Sequence, residues 1–149
     1  VVPDFIPICE NMLMAEGLDQ VWARHETLAQ TIWAACEVWS VGGDLRLNVQ
    51  DSAQRSRSVT AASLAAPDAK RLRAWLTDRA GVTLGIGLGM APPGDPAGDG
   101  YFRFGHMGHI NAHMVLGMLS SVQAGMAALG IAHGPGGLDA ATAFVAKWA

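Results

Sequence analysis

The sequence predicts an α+β domain of two layers, a small and mostly antiparallel sheet with helices packed on one face, preceded by a long linking helix. Three observations lead there. Apolar side chains recur at three- and four-residue steps across residues 8–39, the spacing of one helix face. Short stretches with strand character follow near residues 45–49, 57–64, 82–84 and 101–104. Glycine, proline or capping residues separate these from further helical segments. Strands gathered between helices suit a small sheet covered by helices.

In the first helix Val21, His25, Leu28, Ile32, Ala35 and Trp39 form the stripe, while Gln20, Arg24, Gln30 and Glu37 fall on other faces. Gly17 marks a break because its backbone freedom weakens a helix interior. Pro7, without an amide donor, places the regular helix at or after it. Past Gly42-Gly43, Leu45, Leu47 and Val49 alternate with Arg46 and Asn48, and residues 57–64 form a second strand candidate. Pro67-Asp68 opens a helix with Leu72, Trp75, Leu76 and Ala80 on one face and Gly81 at its end. A short strand over 82–84 runs into Gly85-Ile86-Gly87-Leu88-Gly89, and a loop spans 91–100. In Tyr101-Phe102-Arg103-Phe104, the two phenylalanines point one way and Tyr101 and Arg103 the other. Asn111 caps a helix whose stripe is Val115, Met118, Leu119, Val122, Met126 and Leu129, closed by Gly130. A last helix covers 138–148.

At 149 residues the chain fits one domain, divided into a linking helix region, 1–40, and a sheet-and-helix body, 41–149. Half of the residues are hydrophobic and only 15% are charged, against roughly 25% in ordinary globular chains. Such a surface is expected to be covered in part by a partner or another domain. A net charge of -3 argues against nucleic-acid binding, and the basic cluster Arg55, Arg57, Lys70, Arg71 and Arg73 has no aromatic residues interleaved for base stacking. Cys9 and Cys36 are too few for a disulfide framework, which points to a reduced, cytoplasmic chain. The segment Val1-Val2-Pro3-Asp4 has no secretory pattern and reads as a cut through a longer protein.

Four segments invite functional readings. Gly85-x-Gly87-x-Gly89 lacks both the spacing and the following helix of a dinucleotide loop, so a close backbone approach is expected instead. His109 and His113 have the i, i+4 spacing of zinc ligands, with His106 nearby, but no glutamate or cysteine completes a set and no metal site is expected. Residues 110–132 carry no Asp, Glu, Lys or Arg, yet Asn111, His113, Ser120, Ser121 and Gln123 interrupt them, as in a buried amphipathic helix rather than a membrane span. Its small residues Gly117, Ser120, Ala124 and Gly125 would admit close packing. Arg103 stands apart as a guanidinium on a stiff strand, flanked by aromatic residues and followed at once by a turn. Arginine matches a planar carboxylate with two parallel charge-assisted hydrogen bonds, and apolar flanks would strengthen that pairing.

The run Tyr101-Phe102-Arg103-Phe104-Gly105-His106-Met107-Gly108-His109-Ile110-Asn111, continuing through Met114-Val115-Leu116-Gly117, resembles class V aminotransferases. The branch in question holds the serine–glyoxylate, alanine–glyoxylate and pyridoxamine–pyruvate transaminases. Phe104 stands where isoleucine is common in that family. Glu16-Gly17-Leu18 and Val21-Trp22-Ala23-Arg24-His25 resemble the family's segment on the helix linking its domains. Val59-Thr60-Ala61, Leu72-Arg73, Leu76, Gly81-Val82 and Gly87-Leu88-Gly89 follow its strand–helix–strand order.

The resemblance implies the C-terminal small domain of a fold-type I, pyridoxal-phosphate-dependent enzyme. The intact protein would move an amino group between an amino acid, or pyridoxamine, and a small 2-oxo acid such as glyoxylate or pyruvate. The arginine matching Arg103 binds the substrate carboxylate in that family, and His106 is a second candidate for substrate contact, the alternative being that it shapes the turn. The cofactor carries the carbanion chemistry while the protein orients the substrate. Lys70 and Lys147, the only lysines, do not match the Schiff-base motif, and Pro3-Asp4-Phe5 does not match the threonine-proline segment that precedes the family's linking helix. The cofactor-binding large domain therefore lies outside these residues, which alone are expected to be inactive. A homodimer is implied, without nucleic-acid or membrane partners. The competing reading is a non-catalytic two-layer ligand-binding or regulatory module; a third is a metal module built on the histidines.

Overall fold

A computed structural model describes Glu10 and residues 13–148. Expectations about Val1-Val2-Pro3-Asp4, Phe5, Pro7, Cys9 and the helix start at Ile8 lie outside the described residues. The element order is α1 (Leu18–Trp39), β1 (Arg46–Leu47), β2 (Val59–Ser63), α2 (Asp68–Trp75), β3 (Gly85–Ile86), β4 (Tyr101–Gly105), α3 (Ala112–Leu129) and α4 (Gly137–Val145). The sheet runs β1-β2-β4-β3, and every neighbouring pair is antiparallel.

α1 forms because its apolar stripe meets the sheet. Val21, Leu28, Ile32, Ala35 and Trp39 are buried, and Gly17 breaks the chain before it with φ of 83°. Cys36 is buried on the same helix, and burial raises its thiol pKa, which keeps it protonated. β2 and β4 alternate strictly: Thr60, Ala62, Phe102 and Phe104 are buried, while Val59, Ala61, Ser63, Tyr101 and Arg103 are not. The register pairs Thr60 with Phe104 and Ala62 with Phe102, so these four share the face on which α1 and α2 pack, with α3 against those two helices. α4 lies against α1 and α3 in the same layer. The opposite face of the sheet carries Ala61, Arg103 and Gly85 side by side.

Three expected strands are displaced or shortened. β1 ends at Leu47; Asn48 N–H still reaches Ala61 O at 2.9 Å, after which the chain turns away and Val49 is exposed. β2 is shorter than 57–64. The strand expected over 82–84 forms at Gly85–Ile86 instead, because pairing with β4 starts where glycine permits close approach to Arg103. α2 widens after Trp75 into a π-type turn, Leu76–Ala80, ended by left-handed Gly81.

Asn111 caps α3 by accepting the Met114 N–H at 3.0 Å. Val115, Leu119, Val122 and Met126 of α3 are buried, with Met118 and Leu129 partly so. By length and composition α3 would suffice to cross a bilayer. Gly125 lets Leu72 and Trp75 approach the helix, whereas Gly117, Ser120 and Ala124 face outward. α4 stops at Val145, short of the expected 148.

Candidate functional site

Four of the five residues of the basic cluster are paired with carboxylates. Arg55 pairs with Glu37, Arg57 with Glu26, Lys70 with Asp99 and Arg71 with Asp68. Arg24 is likewise engaged: Nε and Nη2 grip the Glu16 carboxylate at 2.6 and 2.7 Å, and Nη1 donates to the carbonyls of Gly108 and Ile110 at 2.8 and 3.1 Å. That arginine ties the start of α1 to the turn after β4.

Arg103 has no ion-pair partner among the described residues. Its cross-strand neighbours are Ala61 on β2 and Gly85 on β3, the two smallest side chains available. The guanidinium folds across Gly85 and donates Nε–H to the Ile86 carbonyl at 2.6 Å. Both Nη groups lack a hydrogen-bond partner among the described residues. A paired donor edge on a half-buried arginine, fixed by a backbone carbonyl, is suited to a carboxylate or another planar oxyanion. The phenylalanines do not flank it as expected: Phe102 and Phe104 are in edge-to-face contact, 5.2 Å between centroids, on the other side of the sheet.

His106 is on that other side too, and its side chain is fully buried. Thr60 Oγ1 accepts the Trp33 indole N–H at 2.8 Å and shares a hydrogen bond with His106 Nε2 at 2.9 Å. The His106 backbone N–H donates to Ser58 O at 3.1 Å. Nδ1 has no well-formed hydrogen bond among the described residues. Burial pushes the imidazole pKa down to about 4, the Arg57 backbone opposing this only in part, so His106 is neutral at ordinary pH. Strand alternation and burial thus put His106 under the helices, on the face of the sheet opposite Arg103.

His109 lies in the bend before α3 and His113 in its first turn, so their spacing does not put them on one helix face. No group of three His, Cys, Asp or Glu gathers among the described residues. In the glycine run, Gly87 allows a close approach: a Cβ there would meet Tyr101 Cβ at 2.3 Å. Pro92-Pro93 follow, with no helix for a phosphate.

A cavity of about 220 Å3 opens where β1 stops, between Trp33, Val49, Arg55, Val59, Ala61 and Met90. It touches the surroundings of Arg103 through Ala61. The arginine itself sits on an open ledge. Sequence reasoning found Arg103 but missed the Ile86 carbonyl that fixes it and the Trp33–Thr60–His106 chain, since backbone acceptors and cross-strand partners leave no mark in residue spacing.

No family model matches the chain. An L-aspartate–glyoxylate aminotransferase of Paracoccus denitrificans (strain Pd 1222) is 32% identical over 124 residues, covering 83% of this chain and 28% of that protein. The solved pyridoxamine–pyruvate aminotransferase of Mesorhizobium loti superposes with a TM-score of 0.77 at 27% identity, over 93% of this chain and 34% of its own. The chain matches the C-terminal domain of class V aminotransferases. A protein named soluble hydrogenase, small subunit, from Synechococcus sp. (strain PCC 6716) is also 29% identical over 89% of the chain and 32% of its own length. The chain has only Cys9 and Cys36 to offer, with Cys36 in the core, so it supplies no thiolate cluster for a metal–sulfur centre. It spans about a third of the length of the relatives it matches.

The two lysines of the chain are not placed to hold pyridoxal phosphate beside Arg103. Lys70 is engaged by Asp99 at 2.9 Å on α2, and Lys147 follows α4, both in the helical layer behind the sheet from Arg103.

Proposed function

We propose that Arg103 binds the carboxylate of the small amino acid and 2-oxo acid handled by a pyridoxal-phosphate-dependent aminotransferase of which these residues form the C-terminal small domain. Glyoxylate and pyruvate are the acceptors that the relatives' names suggest. The cofactor and its lysine belong to a large domain outside these 149 residues, and the working enzyme is a cytoplasmic homodimer. One observation carries the reading: Arg103 presents two unpartnered Nη donors on the uncovered sheet face, while Arg24, Arg55, Arg57, Lys70 and Arg71 are consumed by carboxylates. The aminotransferase relatives favour it over a non-catalytic ligand-binding module.

Within that reading Arg103 both neutralises and aligns the substrate. Two parallel hydrogen bonds fix the plane of the carboxylate, which sets where the reacting carbon lies. The test is Arg103→Lys in the full-length enzyme. Lysine keeps the charge but loses the fork, so kcat/KM toward pyruvate and glyoxylate should fall about 100- to 1000-fold, as expected for losing 3–4 kcal/mol of transition-state binding. The cofactor absorption spectrum should not change. Wild-type kinetics in that variant would reject the assignment.

A further inference from the structure

The carboxylate reading leaves open which edge of the guanidinium meets the ligand and what holds that edge in place. Arginine binds carboxylates either side-on, through Nε and one Nη, or end-on, through both Nη groups. Here Nε is committed to the Ile86 carbonyl at 2.6 Å. That carbonyl also accepts the Leu88 N–H at 3.0 Å, so both its lone pairs are used and its direction is fixed from two sides.

The bond crosses a position that carries no side chain. Gly85 faces Arg103 directly across β3 and β4. A Cβ there would lie 3.3 Å from Arg103 Cβ, 3.4 Å from Nε and 3.5 Å from Nη2, along the path the side chain takes to Ile86. Gly85 does not have a positive φ, so its backbone conformation is open to other residues. A methyl group here would press on the arginine, which would have to give by a few tenths of an ångström. We infer that Gly85 is a positioning residue for the carboxylate clamp: lacking a side chain, it lets Arg103 cross β3 and tie Nε to Ile86, which commits the Nη1–Nη2 edge to the ligand end-on. This rests on the proposed role of Arg103 and adds the geometry of binding.

Two measurements on the full-length enzyme test it separately from that role. The first is a double-mutant cycle with pyruvate as acceptor. Gly85→Ala should lower kcat/KM about tenfold while the cofactor spectrum and thermal midpoint stay as in wild type. In the Arg103→Lys background the same change should have no further effect, since it acts through the arginine. Wild-type kinetics for Gly85→Ala, or a loss that is undiminished in the Arg103→Lys background, overturns the positioning role. An Arg103→Lys enzyme with full activity overturns the carboxylate reading itself. The second is a crystal structure of the wild-type enzyme with oxamate, which remains decisive if Gly85→Ala does not fold. Both oxamate carboxylate oxygens should lie about 2.8 Å from Nη1 and Nη2 with the Ile86 contact intact. A side-on carboxylate on Nε, with the Ile86 bond broken, refutes the inference; oxamate bound away from Arg103 refutes the reading beneath it.

Discussion

Thr60 Oγ1 lies 2.9 Å from Nε2 of His106, sealed under α1 on the face of the sheet opposite Arg103. The imidazole has its pKa lowered from 6.5 to about 4 by burial, so the folded chain refuses a proton that the unfolded chain accepts below about pH 6.5. Its neutral form thus contributes full stability above pH 6.5, and this is lost progressively as pH falls toward 4. The total is roughly 3 kcal/mol. Denaturant melts between pH 7 and 5 should show stability falling with acidity, and His106→Gln should flatten that slope. An identical slope in the variant would mean that other groups govern it. The Glu16 carboxylate, whose pKa is lowered chiefly by its hydrogen bond to Arg24, loses its contribution only at lower pH.

Thr60→Val removes the hydroxyl between two buried partners. The Trp33 indole N–H and His106 Nε2 would both be left unpaired inside the core. The expected cost is about 2–3 kcal/mol, read as a lower denaturation midpoint. A loss under about 0.5 kcal/mol would show that the network contributes little.

Arg24 holds oxygen acceptors of three residues from two distant segments, Glu16 on one side and Gly108 and Ile110 on the other. Arg24→Ala should cost about 2 kcal/mol. It should also raise amide hydrogen exchange in residues 106–111, which then lose their tie to α1. Unchanged exchange there would argue that Asn111 and the Gly108 turn hold the segment unaided.

Two glycines should respond oppositely to alanine. A methyl group added at Gly117, within α3, would meet nothing within 4 Å, so Gly117→Ala should stabilise by about 0.5–1 kcal/mol through lower unfolded-state entropy. At Gly137 a Cβ would lie 2.1 Å from Trp39 Nε1, a buried indole that donates to Gln123 at 3.2 Å. Gly137→Ala should therefore destabilise by about 2–3 kcal/mol. Thermal melts of both variants check the pair, and equal shifts would contradict this packing.

Met14, Leu18 and Trp22 are 85%, 49% and 60% exposed and follow one another at i, i+4 and i+8. These 149 residues alone should bind a hydrophobic dye or self-associate, as an apolar stripe in water does. A dye-negative monomer would count against the need for a covering domain.

The sequence by itself determined the order of the elements and their faces. Helical spacing in Val21, Leu28, Ile32 and Trp39, and alternation in Tyr101-Phe102-Arg103-Phe104, reflect burial periodicities that any chain must satisfy to hide apolar area. It also carried Arg103, because a cation on a strand between apolar residues is conspicuous without coordinates. Tertiary structure decided what that cation and His106 touch. Alternation put Arg103 and His106 on opposite faces, yet only packing showed that one face is roofed by helices and the other open. The neighbours Ala61, Gly85 and Ile86 lie far from Arg103 in sequence and meet it through strand register, which is set by the whole sheet. Local pattern fixes which way a side chain points; what waits there depends on contacts between segments that no local pattern encodes.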